Sequence, residues 1–127
     1  MDDISTYFPK KFEIHVGGYM SSSFSVMKDG TELIYKVYET GYLLKKTTNI
    51  TPSEKKWNQF WYSCTKLKIW KWKKRYEDPD ILDGTSWRVC IKHNSKIIDS
   101  SGSNAGPEIL NEFFNSINKL LGGVDFH

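Results

Sequence analysis

From Lys11 to Val16 polar and apolar side chains alternate, with Phe12, Ile14 and Val16 on one side and Lys11, Glu13 and His15 on the other. That is the period of a strand with one buried face, and Gly17-Gly18 ends it. A second run sets Phe24 and Val26 on one face and closes at Lys28-Asp29-Gly30, a hairpin turn in which glycine accepts positive φ. A third strand is predicted from about Thr31 to Glu39, with Leu33, Tyr35 and Val37 on one side. Gly41 separates it from a fourth, Tyr42 to Thr48. Four such strands in sequence read as an antiparallel meander.

The period then changes. Thr51-Pro52-Ser53-Glu54 has the form of a helix start, with Thr51 as the capping hydroxyl, proline at the first helical position and glutamate three residues after the cap. Trp57, Phe60, Trp61, Cys64 and Leu67 follow at spacings of three and four, which predicts a helix whose apolar stripe lies on the sheet. Lys55, Lys56, Asn58 and Gln59 take the other side.

Beyond the helix, Trp70 and Trp72 alternate with Lys71 and Lys73, the pattern of a short strand or extended segment. A loop follows through Asp78-Pro79-Asp80 to Asp83-Gly84, because proline cannot continue a ladder. Trp87, Val89 and Ile91 then alternate with Arg88, Cys90 and Lys92, and His93-Asn94-Ser95 turns the chain into Lys96 to Ser100 as a second hairpin. Ser100 to Gly106 reads as a polar loop, with Pro107 opening a last helix. Its stripe is Ile109, Leu110, Phe113, Phe114, Ile117, Leu120 and Leu121, and Gly122-Gly123 stops it. The expected architecture is α+β: one antiparallel sheet of about six or seven strands with two helices packed on one face, in a single domain over residues 1–127.

Composition fits that picture. The 127 residues include five Trp, seven Tyr and seven Phe, enough large side chains for a core without disulfides. The first residues, Met1-Asp2-Asp3-Ile4, carry acid where a secretory signal carries base. No apolar run exceeds three residues, against roughly 20 for a bilayer span. With only Cys64 and Cys90, the expectation is a cytoplasmic protein with reduced thiols and no membrane association.

Charge singles out one segment. Lys66, Lys68, Lys71, Lys73, Lys74 and Arg75 lie within ten residues, and without them the remaining 12 of the 18 basic residues are outnumbered by 15 acidic ones. The net charge of +3 therefore resides there. Lysines interleaved with Trp70 and Trp72 are what phosphate binding with base stacking requires. The competing arrangement sends both indoles into the core and leaves the lysines as a solvated face, and the strict alternation favours it.

Ser101, Gly102, Ser103 and Asn104, leading toward Pro107, form a second candidate, since a Gly- and Ser-rich turn entering a helix directs N–H groups at an anion. It lacks the P-loop pattern, and proline removes a donor. Asp78, Asp80 and Asp83 miss the calcium-loop spacing. Cys90-x-x-His93 has a zinc-like spacing, but Cys64 belongs to a helical stripe and His15 to a strand face. No nucleophile elbow or evident base accompanies the serines. No catalytic residue, metal or cofactor is therefore assigned.

Thr51-Pro52-Ser53-Glu54 with Trp57, then Trp70-Lys71-Trp72, Leu82-Asp83-Gly84-Thr85-Ser86-Trp87 and Ser101-Gly102-Ser103-Asn104-Ala105-Gly106-Pro107 resemble a set of small uncharacterised bacterial proteins over about residues 30–121. The resemblance implies a compact α+β domain without assigned enzyme activity. It departs at Gly106, where an aromatic residue is expected before the proline, and an open ligand wall is the implied consequence.

These features point to a non-catalytic binding protein that neutralises or sequesters a partner, as bacterial immunity proteins and phage anti-defence proteins do. The partner is either a protein or an anionic nucleotide. For the nucleotide, Lys71, Lys73, Lys74 and Arg75 would hold phosphate and Asn104 a base or sugar edge, with Trp70 or Trp72 stacking. The alternative is a sequence-independent nucleic-acid-binding module using residues 66–75, against which the moderate pI of about 8.8 counts.

Overall fold

The computed structural model describes residues 6–18, 22–39, 43–77, 85–103, 106–107 and 109–123. Among the described residues are seven strands and two α-helices: β1 (Lys11–Gly18), β2 (Ser23–Asp29), β3 (Glu32–Glu39), β4 (Leu43–Ile50), α1 (Glu54–Lys66), β5 (Arg75–Glu77), β6 (Thr85–His93), β7 (Lys96–Ser103) and α2 (Leu110–Leu120). One sheet contains all the strands, in the order β4-β3-β2-β1-β6-β7-β5. The α+β class holds. The sheet is mixed rather than wholly antiparallel, because the edge strand β5 runs parallel to β7. The predicted Asp78–Gly84 loop, Tyr42 and Asn104 lie outside the described residues.

The alternation in the sequence becomes the two faces of this sheet. Phe12, Ile14 and Val16 oppose Ile91, Val89 and Trp87 across β1 and β6, and Val26 and Tyr35 continue the buried face across β2 and β3. On that face Trp57 of α1 meets Phe8 and Phe12 edge-on at centroid distances of 5.4 Å, and Phe60 adds a contact to Phe12 at 5.8 Å. Phe113, Phe114, Ile117 and Leu120 of α2 join the same cluster of buried side chains. Of the stripe predicted for the first helix, Trp57, Phe60 and Cys64 are buried, while Trp61 and Leu67 are half-buried and pack around them.

The helix boundaries differ from the expected ones by a cap. Ser53, not Thr51, stops the frayed end of α1: its Oγ accepts from Lys56 N at 3.2 Å, and Trp57 N donates to Ser53 O at 3.0 Å as the first full helical bond. Pro52 therefore stands outside the helix and Glu54 begins it, where its charge still meets the positive end of the dipole. Likewise α2 begins at Leu110 rather than at Pro107, whose carbonyl accepts from Leu110 N in a preceding turn. The Gly122-Gly123 stop is as predicted. Gly122 takes φ 87°, and the N–H groups of Gly123 and Gly122 close on the carbonyls of Asn118 and Lys119, satisfying two orphan acceptors at once.

Two further differences bear on function. Trp70 and Trp72 lie not in a strand but in and beside a single 3-10 turn, Ile69–Lys71. Lys68 adopts φ 55°, which ends α1 and reverses the chain so that Ile69 is fully buried. Residues 100–103, expected in a loop, continue β7 instead. Ser and Gly are poor strand formers, but here β6 and β5 pair with them on both sides and override that preference.

Trp57→Ala is expected to cost about 3–5 kcal/mol of unfolding free energy, as for a large aromatic removed from a packed core. Ser53→Ala should cost about 1 kcal/mol, and Thr51→Ala close to none. Urea denaturation of the three variants checks both statements, and equal losses at Ser53 and Thr51 would refute the cap assignment.

Candidate functional site: a basic surface on aromatic anchors

The basic segment starts where Lys68 breaks α1. Below it both tryptophans are half-buried and pack against the core. Trp70 stacks on Trp61 at 6.2 Å, with Lys96 Nζ 6.0 Å from its ring centroid. Trp72 presents an edge-on contact to Trp87 at 6.0 Å and to Phe113 at 5.4 Å. The indole Nε1 atoms of both residues are buried with no hydrogen-bond partner among the described residues, a cost of about 1–3 kcal/mol each.

Above these anchors Lys66, Lys68, Lys71, Lys73, Lys74 and Arg75 are all exposed. The main chain beneath them is tied down. Lys73 N donates to Tyr76 Oη at 3.0 Å, Ser100 Oγ donates to the Lys73 carbonyl, and Ser101 N donates to the Lys74 carbonyl at 3.0 Å. Arg75 Nε lies 2.6 Å from Glu77 Oε1, both side chains being at least half exposed, so the pair contributes at most about 1 kcal/mol. The result is a solvated cluster of cations on a main chain fixed by hydrogen bonds and buried rings.

The two candidate groups from the sequence do come together. Arg75 is the register partner of Ser101, Tyr76 of Gly102 and Glu77 of Ser103. The chemistry foreseen for the second group changes, however. The amide of Ser101 is already given to Lys74, and Gly102 is buried opposite Trp87. Ser101 and Ser103 thus offer hydroxyls on a strand rather than a cradle of free N–H groups. Gly106 does not open a wall either: a Cβ there would stand 2.9 Å from Leu110 Cδ2 and 3.2 Å from Trp87 Nε1. Glycine lets the Trp87 indole and Leu110 close over that position.

His93 has a role its sequence context did not reveal. Its ring lies parallel to Trp61, 4.0 Å between centroids, and Trp61 Nε1 donates to the Tyr7 carbonyl at 2.7 Å. Cys90 and His93 stand an odd number of strand positions apart and so face opposite sides of the sheet, while burial pushes the Cys64 thiol far above its ordinary range. The aromatic spacing around Trp61 was visible in the sequence, but the reach of β6 that brings His93 onto it was not.

On the opposite, open face of the sheet a hollow of about 400 Å³ is lined by Glu13, His15, Ser25, Met27, Tyr38 and Arg88, with main chain at Ile14. Of these only His15 was weighed from the sequence, as a zinc ligand, and it was set aside. The available signal was the outward-pointing polar set of the first strand, Glu13 and His15, and of Arg88 on the sixth. Among the described residues no helix is long and apolar enough to cross a membrane.

In comparisons with known proteins the chain is 26% identical over 119 residues to an exo-beta-D-glucosaminidase of Hypocrea virens. The match takes in 94% of this chain, which spans only 13% of the length of that relative. No family model matches the chain, and no solved structure does.

Burial holds the His93 imidazole below its ordinary value of 6.5, and nearby Lys96 lowers it further. Burial also lowers His15. In both cases the unfolded chain binds the proton more readily. The contribution of these histidines is therefore complete above about pH 6.5 and is lost as pH drops below that value. Urea denaturation between pH 7 and pH 5 should show this loss, and His93→Phe, which keeps a ring on Trp61, should lose less over the same interval. An identical pH dependence in the variant would contradict the assignment.

Proposed function

We propose that the protein is a non-catalytic binding module that sequesters an acidic partner protein, in the manner of an immunity or anti-defence protein, through the exposed cations of residues 66–75. The observation that carries this reading is the division of labour within the segment: six exposed cations outside, two tryptophans inside. A fixed main chain presenting charge at its surface suits electrostatic complementarity with an acidic protein face, which raises the encounter rate and fixes orientation. Ser101 and Ser103 add hydroxyl groups on β7, the strand beside that edge.

The same division disfavours the nucleotide and single-strand nucleic-acid alternatives. Those modes need aromatic faces open to the bases, and here the half-buried rings of Trp70 and Trp72 already pack on Trp61, Trp87 and Phe113.

Native mass spectrometry of the purified protein after incubation with lysate of its host cell tests the reading. The expected result is one discrete added polypeptide. Replacing Lys71, Lys73, Lys74 and Arg75 together with serine should weaken its retention at least about tenfold, or about 1.4 kcal/mol. Unfolding free energy should change by no more than about 0.5 kcal/mol per site, because all four are surface positions. An unchanged affinity rejects the basic segment as the site, and an added mass of a few hundred daltons in place of a polypeptide makes the protein a small-molecule binder.

A further inference from the structure

The helices and the core occupy one face of the sheet, and the open face carries a row of polar side chains in register. His15 on β1 stands between Ser25 on β2 and Arg88 on β6. Two residues away, Glu13 stands between Met27 and Cys90. Tyr38 on β3 is diagonal to Ser25, whose direct partner is Lys36. Direct cross-strand neighbours have Cβ atoms about 4.5–5.5 Å apart, so these side chains surround one spot, the hollow of about 400 Å³.

We propose that this hollow on the open sheet face is a binding site for a neutral, multiply hydroxylated ligand, a saccharide unit. Three features select that class. Formal charge nearly cancels across the site: Glu13 is acidic, Arg88 is basic, and Arg88 already lies 3.6 Å from Asp99, which leaves no excess of positive charge for a phosphate or carboxylate. Donors and acceptors are both abundant. The guanidinium only donates, the carboxylate only accepts, and the serine, the phenol and the neutral imidazole do both, as a ring of hydroxyl groups requires. Burial lowers the His15 imidazole below its ordinary value, which favours the neutral ring with its acceptor nitrogen. Third, the Tyr38 ring and the Met27 thioether, 45% exposed, offer apolar surface to the C–H face of a sugar, while the polar groups fix its orientation.

The geometry disfavours other occupants. An extended peptide adds to a sheet edge, where main-chain groups are unpaired, whereas β1, β2 and β6 are paired on both sides. The larger hollow, about 830 Å³ along α1 and Lys119, is walled by exposed helix side chains. It has no comparable convergence of groups held in register.

The test is an amide NMR titration of isotopically labelled protein with cellobiose, maltose and chitobiose, each at millimolar concentration, and separately with ATP and inorganic phosphate. The expected result is that at least one disaccharide shifts the amides of Glu13, His15, Ser25, Tyr38 and Arg88 together, with ATP and phosphate leaving them unmoved. Arg88→Ala and Glu13→Gln, both at positions outside the core, should each weaken that sugar's binding at least about tenfold with the rest of the spectrum preserved. No shift with any of the three sugars, shifts confined to another surface, or shifts produced equally by phosphate would each overturn the proposal. This site shares no residue with the basic surface of residues 66–75, so either assignment can fail without the other.

Discussion

The seating of α1 on the sheet, and with it the basic segment that follows, hangs on the contact between Phe12 of β1 and Trp57 of α1. Both side chains are fully buried, and their rings meet edge-on at 5.4 Å, a geometry that adds about 0.5–1.5 kcal/mol to what burial alone contributes. It fixes the rotation of α1 over the sheet. Trp61, one turn on, is thereby set to stack on Trp57 at 5.5 Å on one side and on His93 at 4.0 Å on another. The end of the helix then falls where Ile69 can be buried. A helix rotated by one residue would place a lysine or an asparagine against Phe12.

The display of charge follows from the same packing. Once Lys68 turns the chain, Ile69, Trp70 and Trp72 are all drawn toward the core, and the lysines between them have only solvent left to occupy. Arg75 then enters the sheet as an edge strand beside Ser101. The parallel pairing of β5 with β7 is short, three residues on each strand, and is reinforced by Tyr76, whose ring packs near Trp87 at 5.9 Å. Lysine and arginine along an exposed edge also discourage pairing with another sheet. The same cations that protect the edge are those of the proposed recognition surface.

The strands and their faces were legible because burial on one side imposes a period of two, and a slip of one residue would turn Phe12, Ile14 and Val16 outward. Both tight turns, at Gly30 and at Asn94, were legible because few residues accept positive φ. The cap at Thr51 was misplaced because Thr51 and Ser53 can both cap, and only the packing of Trp57 selects the frame. Trp70 and Trp72 mimicked a strand because two rings two residues apart can equally reach a core from a tight turn. Ser100–Ser103 looked like a loop since their strand is stabilised by neighbours on both sides rather than by its own side chains. Of the basic surface, the cations were legible and their support was not. The open-face hollow was invisible because its residues come from four strands, β3, β2, β1 and β6, each contributing one or two polar positions that look like ordinary solvent-facing residues.

The inward placement of Trp70 and Trp72 is the central claim, since it decides whether the basic segment is a charged platform or a stacking site. Fluorine NMR of the protein labelled with 5-fluorotryptophan, assigned by single Trp→Phe substitutions and exposed to a soluble gadolinium chelate, measures it directly. Resonances of Trp70 and Trp72 that broaden far less than that of a free fluorotryptophan, and more than that of fully buried Trp57, are the predicted result. Broadening of both to the extent of the free amino acid would place the rings in solvent and contradict the account.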